Sequence, residues 1–259
     1  MPARRIPLAV VAITLLSGHV APSVDDNNRY LKLTPLGDRI RLAYTVFYGE
    51  VPGAGMRRTI DANGDGQIDD AEAKAFARDL GKQVAAALVV EVDGRTDPVT
   101  WTTIDPGMGT PVVAAGAFSV DLVAYFCFAK PRGRHHIVVH DRFRISRPGE
   151  TEAKVDDSPG VTIERAHVGA ADDPTYDFRF AGPGGPLETD GLEVVLFADQ
   201  DAPVLGDGTC KPAPAAAGNA AGSGGKIGIG IGIGLGVGIG IAIAVIVLVR
   251  RRHMRDKPA

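Results

Sequence analysis

Apolar and polar side chains alternate with a period of two through most of the chain between residues 24 and 207. Such alternation is typical of antiparallel strands that bury one face and expose the other. The apolar rows are Ile40–Val46, Phe118–Phe126, Ile137–Ile145, Tyr176–Phe180 and Val195–Phe197. Many short strands separated by Pro, Gly and Asp predict a mainly β, antiparallel, sandwich-like domain.

One segment has helical periodicity instead. From Asp69 to about Val89 the chain is rich in Ala, and apolar residues recur every four positions from Phe76 to Leu88. This stripe predicts one helix inserted into the β domain. Gly81 lies inside it and weakens the helix by roughly 1 kcal/mol relative to Ala.

The N-terminus has the features of an export signal. Arg4 and Arg5 precede the apolar run Ile6–Leu16, and small residues follow up to Ser23. This order of positive, apolar and small residues predicts a signal peptide over residues 1–23. The β domain is therefore expected in the periplasm or outside the cell.

The C-terminal part is predicted to be a membrane anchor. Residues 227–249 carry no charge, which is enough chain to cross the ~30 Å hydrocarbon core as one helix. Arg250–Arg252 follow at once, so the tail over residues 250–259 is expected in the cytoplasm. Residues 208–226, rich in Gly, Ala, Pro and Ser, are predicted to be a flexible linker.

Glycine occupies every even position from Gly228 to Gly240 within the predicted crossing. A lone strand cannot satisfy its backbone in lipid, so a helix is expected there. In a helix these glycines form small-xxx-small rows, which favour self-association of the chain. A glycine-tolerant anchor without association is the alternative.

Charge and cysteine content limit the function classes. Residues 24–210 contain 30 Asp and Glu against 19 Lys and Arg, a net charge of −11. Such an acidic domain is a poor binder of nucleic acid. Cys127 and Cys210 are able to pair in an oxidising compartment. The apolar strand around one and the linker around the other leave that pairing open.

Oxygen-bearing side chains recur through the segment Asp61–Glu72, with Gly66 where the chain must turn sharply. Calcium is a hard cation that takes six to eight oxygen ligands. The segment resembles the twelve-residue calcium loop of the EF-hand family at every ligand position; the alternative is an acidic turn before a helix. The predicted calcium ligands are Asp61, Asn63, Asp65, Gln67 through its main-chain carbonyl, Asp69 directly or through water, and Glu72 through both carboxylate oxygens.

The loop differs from paired calcium sensors in two ways. Pro52 and the glycines around it predict an incoming helix of about two turns at most. EF-hands usually pair through the short strand at loop position 8, here Ile68, and the chain contains no second loop of this type. A single exported site is expected to bind calcium at about 10⁻⁴–10⁻³ M and to serve structure rather than signalling.

A second resemblance covers about half of the β domain. It is carried by Tyr30–Thr34, Arg39–Val46, Glu50–Pro52, the calcium loop with its Ala-rich helix, and Val90–Gly94. Together these resemble the extracytoplasmic domain of HupE/UreJ-type bacterial membrane proteins, which are linked to nickel supply for hydrogenase and urease. The resemblance implies a bacterial β domain with an EF-hand insertion at about residues 55–90. It implies no transport activity, because this chain has one predicted crossing.

Other candidate chemistry is weaker. His136 and His140 are four residues apart on one predicted strand, about 13 Å, which is too far for one metal ion on a straight strand. Arg142 and Arg144 share their face and repel cations. The chain contains no G-x-S-x-G elbow, phosphate-binding loop or H-E-x-x-H motif, so we expect no enzyme.

Three functional hypotheses follow. The first is a single-pass, outward-facing calcium-binding protein that acts as a surface binding or accessory module with an unidentified protein partner. The second is an accessory component of a nickel or other metal supply system. The third is a hydrolase whose site no motif reveals.

Overall fold

A computed structural model describes residues 25–182 and 185–210. The predicted signal peptide and transmembrane helix lie outside these residues, as do the tail and most of the linker. In chain order the elements are β1 (Asn27–Pro35), β2 (Arg39–Tyr48), α1 (Glu50–Ile60), α2 (Asp70–Ala87), β3 (Leu88–Val92), β4 (Arg95–Asp97), β5 (Thr103–Gly107), β6 (Phe118–Cys127), β7 (Gly133–Asp141), β8 (Pro148–Val155), β9 (Val161–Val168), β10 (Ala171–Asp172), β11 (Asp177–Ala181), α3 (Pro186–Thr189) and β12 (Leu192–Ala198).

The strands of the described chain form two six-stranded sheets. Sheet 1 has the order β11-β8-β1-β2-β6-β5, and sheet 2 has the order β10-β9-β12-β7-β3-β4. Neighbouring strands are antiparallel except β1 and β8, which run parallel. The predicted mainly β, antiparallel character is confirmed, and the two sheets are consistent with a β-sandwich.

One apolar core joins the two sheets. In β2 the inward residues Ile40, Leu42 and Val46 have no exposed surface, and the inward residues of β6 are equally buried. Each large side chain of this kind stabilises the fold by about 1.5–3 kcal/mol. The predicted apolar rows of β2 and β6 are therefore the central rows of the core.

A polar link crosses this core. Arg29 of β1 donates from Nη1 to Asp141 Oδ2 of β7 at 2.9 Å and from Nη2 to Thr151 Oγ1 at 2.7 Å. Tyr44 Oη donates to the same Asp141 oxygen at 2.9 Å. Because a buried charge is tolerated only when it is paired and hydrogen-bonded, this cluster fixes sheet 1 against sheet 2 at one register.

Two predicted rows differ in detail from the structure. The row expected to extend to Ile145 stops with β7 at Asp141, and Phe143 is buried although it lies beyond the strand. Strand β12 carries apolar residues on both faces, although Glu193 shares the outer one, so alternation did not determine which row points inward. Leu196 lies in the core, whereas Phe197 points outward and is 45% exposed.

The predicted inserted helix corresponds to α2, which runs from Asp70 to Ala87 between β2 and β3. Its apolar stripe packs inward through Leu80 and Val84. Gly81 is accommodated because Trp101 packs on it. A Cβ at Gly81 would lie 3.3 Å from Trp101 Cδ1, and the indole Nε1 donates to the Gly81 carbonyl at 2.7 Å.

The incoming helix is longer than the sequence predicted. Helix α1 spans 11 residues, about three turns, and begins at Glu50 rather than after the Pro- and Gly-rich stretch. Pro52 lies in the first turn, where its missing N–H is not needed. Gly53 is buried. Only glycine fits there, because a Cβ would lie 2.7 Å from the Gly116 carbonyl oxygen.

Cys127, at the end of β6, forms a disulfide with Cys210, and their Cα atoms are 5.4 Å apart. The pairing that the sequence left open is therefore made. It holds the first residues of the predicted linker against sheet 1. Among the described residues, no helix is both long and apolar enough to cross a membrane.

Candidate functional site

The segment Asp61–Asp69 connects α1 to α2 as a tight loop, with Glu72 in the first turn of α2. The main-chain N–H of Asp61 donates to the Arg57 carbonyl at 3.0 Å, which ends α1. Gly64 and Gly66 have φ angles of +73° and +82°, and no atom lies within 4 Å of a Cβ built at either position. These glycines are therefore required by backbone conformation rather than by crowding.

The acidic side chains organise the loop through its backbone. Asp61 Oδ1 accepts hydrogen bonds from the N–H groups of Gly64 at 2.8 Å and Asp65 at 3.2 Å, and its Oδ2 accepts one from Gly66 at 3.0 Å. Asn63 Oδ1 accepts from Asp65 at 2.8 Å. Asp65 Oδ1 accepts from Gln67 at 2.8 Å. In the first half of the loop, main-chain N–H groups thus donate to the side chains of the predicted ligands.

Glu72 closes the loop on itself. Its Oε1 accepts hydrogen bonds from the N–H groups of Ala62 at 2.9 Å and Asn63 at 3.2 Å, and its Oε2 accepts one from Asp69 at 3.0 Å. Asp69 Oδ1 in turn accepts from Ala71 and Glu72, so the pair forms a capping box on α2. The last predicted ligand therefore lies against the start of the loop.

The loop exit pairs with a distant segment. Ile68 donates its N–H to the Pro111 carbonyl at 2.7 Å, and Val113 donates to the Gly66 carbonyl at 3.1 Å. Gln67 and Val112 form an antiparallel bridge between these bonds. The Ile68 side chain is buried. Residues 108–116, which connect β5 to β6, thus provide a strand partner that the sequence did not predict.

Arg57 holds that segment in place and was also not predicted. Its guanidinium donates to the carbonyl oxygens of Thr110 at 2.8 Å and Gly116 at 3.1 Å. It also donates to the carbonyls of Val112 and Met108. The side chain is fully buried, and burial lowers its pKa. The only local signal in the sequence was the apolar pair Val112-Val113, which is compatible with a short strand.

The carboxylates of the loop are not neutralised by ion pairs within the described residues. Asp61, Asp65, Asp69 and Glu72 form no salt bridge within the described part of the chain, although Lys74 contacts the neighbouring Asp70 at 3.3 Å. The loop is largely exposed, apart from the buried Ile68. Its negative charge is therefore balanced by backbone N–H groups rather than by basic side chains.

Within residues 25–182 and 185–210, no group of three or more His, Cys, Asp or Glu side chains is placed to hold a metal ion. The predicted set also relies on other donors, the Asn63 amide and the Gln67 carbonyl. Its oxygens already accept backbone hydrogen bonds, as described above. A carboxylate has about four lone-pair sites, so Asp61 and Glu72 each keep about one free site, on Oδ2 and on Oε2. A cation held by both Glu72 oxygens would replace a hydrogen bond to Oε1.

The histidines considered for a metal site have separate partners. His135 is buried, stacks on Phe128 with ring centroids 3.7 Å apart, and contacts Asp93 Oδ2 from Nδ1 at 2.9 Å. His136 Nε2 lies 3.1 Å from Glu193 Oε1, which Arg165 also contacts. His140 lies against α3 and Gly191. Each histidine contact is thus made to a different residue, and none of these contacts joins two histidines.

Asp141 has a raised pKa, but its carboxylate is not accessible to solvent. Burial raises the pKa of Asp141, whereas its ion pair with Arg29 opposes the change. Asp141 is 1% exposed and lies between the two sheets. A substrate has no route to this carboxylate while the sheets stay packed, so its contacts serve the fold.

No profile of a known protein family matches the chain, and no curated protein matches it significantly.

Proposed function

We propose that this chain is a membrane-anchored, outward-facing protein that binds one calcium ion in the loop Asp61–Glu72. The ion is a permanent part of the fold, and the β domain acts as a surface binding or accessory module. The observation that carries the proposal is the position of Glu72, whose carboxylate accepts hydrogen bonds from Ala62 and Asn63. An EF-hand needs its first and last ligands around one ion, and this contact holds the Glu72 carboxylate against the two residues that follow Asp61.

The donor set suits calcium. Asp61, Asn63 and Asp65 would supply side-chain oxygens, and Gln67 would supply its main-chain carbonyl. Asp69 would act directly or through water, and Glu72 would supply both oxygens. This all-oxygen set carries four carboxylates, which favours a hard divalent cation over zinc or copper. Bound calcium would supply positive charge to carboxylates that form no salt bridge within the described residues.

The packing of the helices supports a structural role over a switch. Leu80 and Val84 of α2 are buried in the core, and Trp101 covers Gly81. Calcium sensors open a helix pair and expose a Met-rich groove. Here the apolar face of α2 already packs against the β domain. An ion at this loop would therefore stiffen an existing arrangement.

Calorimetric titration of the full-length chain with calcium, together with thermal melting, tests the proposal. We expect a dissociation constant of about 10⁻⁴–10⁻³ M. At a calcium concentration of one hundred times this value, the stabilisation should be about 2.7 kcal/mol. Asp61→Ala and Glu72→Gln should remove the binding heat and the calcium-dependent rise in melting temperature. Comparing each variant with and without calcium separates binding from the loss of the Glu72 cap.

Asp70→Asn is the matched control. Asp70 neighbours the ligand Asp69 and carries the same charge, but it lies outside the predicted ligand set and pairs with Lys74. It should bind calcium within a few-fold of the unaltered chain. The proposal fails if the unaltered chain shows no binding heat, or if Asp61→Ala and Glu72→Gln behave like Asp70→Asn.

A further inference from the structure

Residues 108–116 occupy the place that a second EF-hand usually takes. Paired EF-hands join through the short strands at loop position 8, and here that position is Ile68. The Ile68 N–H instead bonds to Pro111, and Gly66 accepts from Val113. The partner strand therefore comes from the connection between β5 and β6. It carries no acidic loop of its own.

This segment does not hold its conformation alone. It contains no helix or strand of more than one isolated bridge. The Met108 and Val112 carbonyls accept N–H groups from within the segment, at Thr110 and Ala115, but these short turns leave other carbonyls to be satisfied from outside. Arg57 provides donors at Met108, Thr110, Val112 and Gly116. A guanidinium presents its five N–H donors in a rigid planar fork, which suits several carbonyls converging from one curved segment.

Arg57 is also part of the helix that enters the loop. It lies in the last turn of α1, and its carbonyl accepts the N–H of Asp61, the first predicted ligand. Its guanidinium lies 5.4 Å from the ring centroid of Phe118, at the start of β6. One side chain thus links the entrance of the loop to the strand that pairs with its exit.

We propose that Arg57 is a positioning residue for the calcium site, holding residues 108–116 as the strand partner of the loop in place of a second EF-hand. The inference rests on the proposed calcium function. If the loop and the segment stabilise one another, calcium must order the segment and the segment must raise calcium affinity, because such coupling is reciprocal.

A pair of neighbouring arginines gives a sharp test in the full-length chain. Arg57→Gln and Arg58→Gln each remove one positive charge near the site, and the loss of its Coulomb repulsion alone should tighten calcium binding. Arg58 is exposed and makes none of the carbonyl contacts. We expect Arg57→Gln to weaken binding about tenfold in a calorimetric titration, and Arg58→Gln to leave it equal or slightly tighter. Arg57→Lys keeps the charge but loses the fork, so it should also weaken binding.

Hydrogen–deuterium exchange of the unaltered chain supplies a measurement that needs no variant. Calcium should slow exchange at the amides of Ile68 and Val113 by about tenfold or more, because both cross between loop and segment. If calcium binds yet exchange at Val113 is unchanged and Arg57→Gln binds like Arg58→Gln, the inference fails and the calcium proposal stands. If the unaltered chain binds no calcium, both fail.

Discussion

Arg39 is the residue at which the end of the described chain is attached to the β domain. Its fully buried guanidinium bonds to both carboxylate oxygens of Asp38 and of Asp207, and to the Leu205 carbonyl. Such two-pronged contacts are the stronger kind of ion pair. A buried arginine within a predicted strand face thus serves to anchor residues 205–210.

The ion pair predicts a pH dependence. Hydrogen bonding to Arg39 lowers the pKa of Asp207 to about 2, below its ordinary value of about 4 in the unfolded chain. A lowered folded-state pKa contributes stability above the unfolded pKa, and this is lost as pH falls toward the folded pKa. We expect Asp207→Asn to melt below the unaltered chain at pH 7, and the gap to close between about pH 4 and pH 2.

Melting temperatures measured in steps from pH 7 to pH 2.5 check this expectation. Asp199→Asn is a suitable comparison, since the Asp199 carboxylate accepts the Asp201 N–H and forms no salt bridge within the described residues. A gap between Asp207→Asn and the unaltered chain that stays constant with pH would contradict the role assigned to Arg39.

At the scale of elements, α1 is longer than the sequence predicted because its Gly-rich first half packs closely against residues 108–116. Two of its glycines can test this explanation. A Cβ at Gly53 would lie 2.7 Å from the Gly116 carbonyl oxygen, whereas a Cβ at Gly55 would meet only the flexible Arg58 side chain at 3.9 Å. Gly53→Ala should therefore destabilise by about 1–3 kcal/mol through overpacking. Gly55→Ala should stabilise by up to about 1 kcal/mol through helix propensity.

Denaturant unfolding of the two variants measures these opposite signs under the same conditions. Because both substitutions are identical and lie in one helix, any general effect of alanine on α1 cancels between them. Equal effects would show that α1 does not press against residues 108–116 as described.

Sequence reasoning worked best where structure is local. The loop Asp61–Glu72 and the start of α2 lie within a dozen residues, so spacing alone indicated the sharp turn at Gly66 and the helix that follows. Arg57 and its partner Gly116 are 59 residues apart, and alternation carries no information about such a contact. The inward face of β12 could not be predicted for a different reason. This strand has apolar residues on both faces, so the sequence alone did not show that Leu196 would be buried and Phe197 exposed.

At the scale of the whole molecule, the disulfide joins residues 83 positions apart, from the end of β6 to the end of the described chain. A cross-link over so long a loop restricts the unfolded chain and typically stabilises by about 2–4 kcal/mol. Reduction, or replacement of both cysteines by serine, should lower the free energy of unfolding by that amount. Denaturant unfolding with and without reductant measures the change.

The double-serine variant provides the control, because it should be insensitive to reductant. If the unaltered chain is equally insensitive, Cys127 and Cys210 are not paired in solution.

The helix–loop–helix also determines how the chain passes from one sheet to the other. Strand β2 belongs to sheet 1 and β3 to sheet 2, and the 39 residues between them contain α1, the loop and α2. A flexible connection of that length makes loop closure costly in chain entropy and slows the joining of distant strands. A helical hairpin that forms early leaves far less chain to close. If the loop binds calcium as proposed, the ion would hold the bend between the two helices and so favour the assembly of the second sheet as well as the stability of the finished domain.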